Sequence, residues 1–124
     1  MREIRFRGME EETTNWIIGN SLYKGSELWF INDRGVAVGL EPDTLGQYSG
    51  LDDRNGTPIY EGDILTGLTR WNMDYTVTCV FENGAFGAEW YHNDYRHFMP
   101  FACFYGVEWE VVGNKWEDKN ENNH

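Results

Sequence analysis

Apolar residues in this chain come in short runs, each closed by glycine, asparagine, aspartate or proline. The opening, Arg2-Glu3-Ile4-Arg5-Phe6-Arg7, alternates with period two. That alternation predicts a half-buried strand with Ile4 and Phe6 inward. A polar turn over Glu10–Thr14 leads to a second apolar run, Trp16-Ile17-Ile18, ended by Gly19-Asn20-Ser21. Leu28-Trp29-Phe30-Ile31 is a third strand candidate, returned through Asn32-Asp33-Arg34-Gly35 into Val36–Leu40. Asn, Asp and Gly suit that turn because they tolerate positive φ. The first third of the chain is therefore predicted as β-hairpins.

Pro42 interrupts the pattern, and Gln47-Tyr48 is a further short strand candidate. Asp53-Arg54-Asn55-Gly56 and Glu61-Gly62-Asp63 are turn signals, and Pro58 between them argues against a central strand. Strands are predicted over Ile64–Leu68, Thr76–Phe81, Ala85–Tyr91 and Val107–Trp116. Thr76–Phe81 has the strongest β-propensity and turns through Glu82-Asn83-Gly84. Phe81 is expected in the core. Val107, Trp109 and Val111 share a face, and Gly113 inside that strand signals a bulge. A single helical turn fits between Phe98 and Phe104, and no longer helix is expected.

Composition agrees with a small β-rich domain. Of 124 residues, 16% are aromatic, which fills a small core with few side chains. Fourteen glycines against three prolines suit many short turns. The net charge of −11 argues against general nucleic-acid binding, which needs basic side chains to displace phosphate counterions. It argues equally against an anionic membrane surface. No run of about 18 apolar residues is present to span a membrane, and no apolar leader follows a basic start. Cys79 and Cys103 lack zinc-site spacing and sit among apolar neighbours, so buried thiols in a reducing cytoplasm are expected.

The candidate chemistry is thin. Aligned on Gly56, an EF-hand reading would place Asp53 and Asn55 as ligands, but Leu51 falls at the first ligand position. Asp52, Asp53, Glu61 and Asp63 could form an acid/base pair only if two of them faced one pocket. Beside His92 or His97, Glu61 or Asp63 in a deep pocket would mark an enzyme. His92 and His97, five apart, fall on opposite faces of a single strand, so a metal site there is not expected. No nucleophile elbow, phosphate loop or dinucleotide fingerprint occurs. No catalytic residue, metal or cofactor is expected.

Three blocks carry a resemblance. They are REIRFRG (Arg2–Gly8), GQYSGLDDRNGTPIYEGDIL (Gly46–Leu65) and EVVGNKWED (Glu110–Asp118). Together they resemble the YopX-like family of small phage and prophage proteins. The chain departs from the family pattern at Ser49, where Thr is usual, at the acidic Asp52-Asp53-Arg54, and at Gly8-Met9-Glu10 in place of Ala-Trp-Asp. The resemblance implies a mainly β fold, with an N-terminal β-hairpin region packed on a C-terminal SH3-like small barrel. The expected bounds are 1–50, 51–118 and a mobile polar tail over 119–124. It also implies a phage or prophage protein working inside a bacterial host, and it supplies no catalytic residues.

Residues Trp90–Tyr105 concentrate seven aromatics without clean alternation. They could fold back over the core as a satellite cluster or form an exposed interface patch. The second reading predicts a homo-oligomer with Tyr95, Phe98 and Met99 as contacts. The leading functional expectation is thus a non-enzymatic module that self-associates or binds a host or phage protein. The alternative is an acidic inhibitor or nucleic-acid mimic acting on a host nucleic-acid-binding protein.

Overall fold

The computed structural model describes residues 3–25, 29–33, 36–69 and 74–117. Leu28, the Arg34-Gly35 turn positions and the 119–124 tail lie outside these. The chain divides into two compact units, Met1–Gly50 and Leu51–His124. The fold is mostly antiparallel β, as the alternation predicts.

In the first unit, β1 (Phe6–Met9) pairs with β2 (Trp16–Gly19) through the polar turn after Met9. The strands β3 (Leu22–Lys24), β4 (Trp29–Asp33) and β5 (Val36–Gly39) form a separate three-stranded antiparallel sheet. A 3-10 turn, Pro42–Thr44, precedes β6 (Gly46–Asp52), which pairs with β1 through Phe6 and Arg7. The expectation for Ile4 is corrected. It precedes the strand and is 56% exposed, while Gly8 and Met9 are the buried positions of β1. Gly8 is needed there because a Cβ would press into the Leu40 side chain at 2.6 Å. The Met9 amide donates to Thr44 Oγ1 at 2.8 Å, which ties the 3-10 turn to β1.

β6 runs across the boundary into the second unit, where the Asp53–Thr57 turn leads to β7 (Pro58–Tyr60). β7 is an edge strand, as Pro58 requires. The main sheet follows, from β8 (Asp63–Thr69), β9 (Asp74–Glu82), β10 (Ala85–His92), β11 (Tyr95–Pro100) and β12 (Val107–Asn114). Its order is β11-β10-β9-β8-β12, so a four-strand meander is completed by a last strand returning beside the first. A 3-10 turn at Phe101–Cys103 makes the return. β11 and β12 are the two edges and do not pair among the described residues. The expected barrel is therefore an open five-stranded sheet in its hydrogen bonding.

Ile59, Leu65, Val77, Cys79, Ala88 and Phe101 form its core, with Phe86, Trp90, Phe104, Trp109 and Val111 packed around them. Burial of these apolar surfaces is the main stabilising term. Two expectations fail here. Phe81 is 50% exposed, resting on Phe86 with ring centroids 4.8 Å apart. Cys103 is exposed rather than buried, and no disulfide joins it to Cys79. The bulge expected at Gly113 is present as a register shift between Val111 and Gly113.

Candidate functional site

The two longer sequence blocks meet each other, and the carboxylates of Asp53 and Asp63 accept backbone amides. Asp53 is 8% exposed. Its Oδ1 accepts the amides of Asn55 and Thr57, both at 2.8 Å. Its Oδ2 reaches across to β12 and accepts the Val111 amide at 2.9 Å. Burial raises the pKa of this carboxyl, but the amides of Val111, Thr57 and Asn55, with Arg54 nearby, together hold it below the ordinary value. The next residue continues the seam, since the Arg54 amide donates to the Trp109 carbonyl at 2.9 Å. Asn55 Nδ2 adds a 3.0 Å bond to Glu110 Oε1.

The Gly62-Asp63 turn joins the same junction. Asp63 is buried, and its Oδ2 accepts the Tyr60 amide at 2.8 Å. Gly62 has φ +89°, and a Cβ there would collide with the Trp116 ring. Its carbonyl accepts the Lys115 amide at 2.9 Å, and its amide donates to the Cys79 carbonyl at 2.8 Å. Asn114 Oδ1 accepts the amides of Trp116 and Glu117, capping a helical turn at 115–117 that ends β12 earlier than predicted. Asp53 and Asp63 therefore act on the backbone. A cavity of about 400 Å³ in the first unit lies open at Glu3, Ile4, Arg5, Ile18, Gly19 and Asn20, and none of the candidate carboxylates or histidines lines it.

The β10–β11 hairpin is organised differently. Asn93 and Asp94 have φ of 51° and 67°, which makes a two-residue turn of the type that matches strand twist. β11 itself was not anticipated, because its aromatics fall on both faces. The signal that could have found it is the Asn-Asp turn pair. The hairpin also corrects the histidine geometry. His92 and His97 lie on different strands, opposite Tyr95 and Trp90, and share a face. His97 stacks on Trp90 at 5.4 Å and 13°. Among the described residues no group of three or more His, Cys, Asp or Glu side chains comes together.

The aromatic run is divided between inside and outside. Trp90 meets Phe104 at 6.4 Å, Phe104 meets Trp109 at 5.1 Å, and Trp109 meets Phe101 at 5.7 Å, all edge to face. Tyr91, Tyr95 and Tyr105 point outward, Tyr95 being 73% exposed. Phe98 and Met99 are half-buried. Phe98 lies over Gly87, where a Cβ would approach its ring at 2.6 Å and the Met99 carbonyl at 2.5 Å. Met99 stands opposite Ala88 on the core face. Tyr95 and Met99 thus share one face and Phe98 takes the other, so the expected contact residues share only the strand edge. On the Phe98 face, Arg96 Nε bonds Glu89 at 2.6 Å and its Nη1 bonds Glu82 at 3.2 Å. The bond from Glu89 is the main reason the guanidinium is held in its charged form.

The middle and C-terminal blocks thus meet in one junction. The family model described as YopX protein matches residues 3–120. The chain belongs to the YopX family. No curated protein and no solved structure matches it. Of the YopX blocks, the middle and C-terminal ones build the seam between the Asp53–Asp63 segment and β12. No helix among the described residues is long and apolar enough to cross a membrane.

Proposed function

We propose that this YopX-family chain is a phage- or prophage-encoded, non-enzymatic interaction module that self-associates through the β10–β11 hairpin inside a bacterial host. The observation that carries the reading is the exposure pattern of that hairpin. Tyr91 and Tyr95 are open to solvent at its tip, with half-buried Phe98 and Met99 behind them. Tyr, Phe, Met and Arg are the residue types that interface cores favour. The buried carboxylates of Asp53 and Asp63 accept backbone amides, which gives them a place in the fold. A host or phage protein is the other class of partner this surface suits.

Light scattering at about 100 µM, where a micromolar dimer is well populated, tests the reading. The wild type is expected to run above monomer mass and a Phe98→Asp, Met99→Asp double variant at monomer mass. A monomeric wild type overturns self-association. A double variant that unfolds would assign these side chains to the core and not to an interface.

A further inference from the structure

The two edges of the main sheet are not equivalent. On β12 the middle of the outward backbone is engaged at two groups, since the Trp109 carbonyl accepts the Arg54 amide and the Val111 amide donates to Asp53. On β11 the pattern of outward groups follows from the turn. In a two-residue turn of this type, the flanking pair His92–Tyr95 exchanges both backbone bonds. Pairs then alternate along an antiparallel ladder, so Trp90–His97 and Ala88–Met99 are also bonded. Tyr91–Arg96, Glu89–Phe98 and Gly87–Pro100 are the unbonded pairs. Pro100, which has no N–H, falls at an unbonded position, as this phase requires. The amides and carbonyls of Arg96 and Phe98 therefore point away from β10. No other backbone hydrogen bond among the described residues reaches them.

We propose that β11 pairs edge to edge with β11 of a second copy, antiparallel, about a two-fold axis at His97. This deepens the self-association reading above and rests on it. In this register Arg96 N–H donates to Phe98 C=O of the partner copy, Phe98 N–H donates to Arg96 C=O, and the axis repeats both bonds. Each outward donor meets an outward acceptor, and both outward carbonyls of Arg96 and Phe98 meet a donor, whereas an axis at Phe98 would set the Arg96 carbonyl against Pro100, which has no N–H. The side chains also match. Exposed Tyr95 covers half-buried Met99 of the other copy, an aromatic–sulfur contact, and Phe98 lies beside Arg96. Edge strands are commonly blocked by a projecting charge. Arg96 does not block this one, because Glu89 and Glu82 draw its side chain back over the sheet and compensate its charge. Arg96 therefore presents no unpaired positive charge to the second copy. With β12 occupied, the pairing closes as a dimer in this unit and does not extend into a fibre.

Cross-linking in a Cys103→Ser background tests the register, since Cys103 is exposed. On the axis the two 97 positions form an unbonded pair with Cα atoms about 4.5 Å apart, within disulfide range. His97→Cys is expected to shift from the 14.5 kDa of one chain to twice that mass on mild oxidation, while Phe98→Cys stays at one. A mixture of Tyr95→Cys and Met99→Cys chains is expected to link, and neither alone. This second pair keeps the test intact should loss of the His97–Trp90 stack unfold the first variant. If the wild type dimerises but neither His97→Cys nor the mixture links, or Phe98→Cys links equally, this register is wrong and self-association stands. A wild type that remains monomeric at about 100 µM removes both.

Discussion

The two edges of one five-stranded sheet use their side chains in opposite ways. Along β12, a distant part of the chain meets the edge, the Asp53 carboxylate accepting the Val111 amide and the Arg54 backbone amide donating to the Trp109 carbonyl. Along β11, the charged residue is drawn back by Glu82 and Glu89, Tyr95 points outward, and the backbone of Arg96 and Phe98 faces away from β10. The middle and C-terminal blocks meet at the β12 edge, and none of the three blocks covers β11.

Breaking the occupied edge is expected to have the largest effect. Asp53→Ala removes the acceptor for three partly buried amides and should cost about 2–4 kcal/mol in denaturant unfolding. A cost under about 0.5 kcal/mol would mean water replaces the carboxylate freely. Next is Gly62→Ala, which forces a side chain into positive φ and against the Trp116 ring. It should cost about 1–3 kcal/mol by the same measurement, and a neutral result would place Trp116 elsewhere in solution.

The contrast also rescales an expectation drawn from the sequence. Phe81 sits in the strand of highest β-propensity and reads as core, where truncation would cost about 3–5 kcal/mol. At 50% exposure, Phe81→Ala should cost about 1 kcal/mol, and a larger loss would show that the ring is covered in solution.

The smallest effect is acid dependence. The folded Asp53 pKa lies below its ordinary 3.8. Its contribution is therefore fully present above that value and is lost as pH falls through the folded pKa. The stability difference between wild type and Asp53→Asn should shrink below about pH 4 and stay flat from pH 5 to 8. A difference that grows on acidification would contradict the sign.

Much of the architecture is legible in residue order, because alternation and turn residues are local signals. The hairpins around Asn83-Gly84, the edge position of Pro58 and the bulge before Gly113 all follow from them. The role of Asp53 does not, since its deciding partner, Val111, lies 58 residues away. It reads locally as a turn aspartate, which is only half of what it does. β11 escaped for a different reason. Tyr95 and Met99 on one face and Phe98 on the other erase the alternation that marks a half-buried strand. Ile4 misled in the reverse sense, since its alternation continues past the point where pairing with Gly19 and Gln47 begins at Phe6.

Amide hydrogen exchange at Val111, Arg54, Arg96 and Phe98 tests the contrast between the edges most directly. Val111 and Arg54 should be protected at every protein concentration, because their acceptors lie within the chain. Arg96 and Phe98 should exchange rapidly in dilute solution and slow as concentration rises through the dimerisation range. Rapid exchange at Val111, or protection of Arg96 and Phe98 in dilute monomer, would contradict the account of one occupied and one open edge.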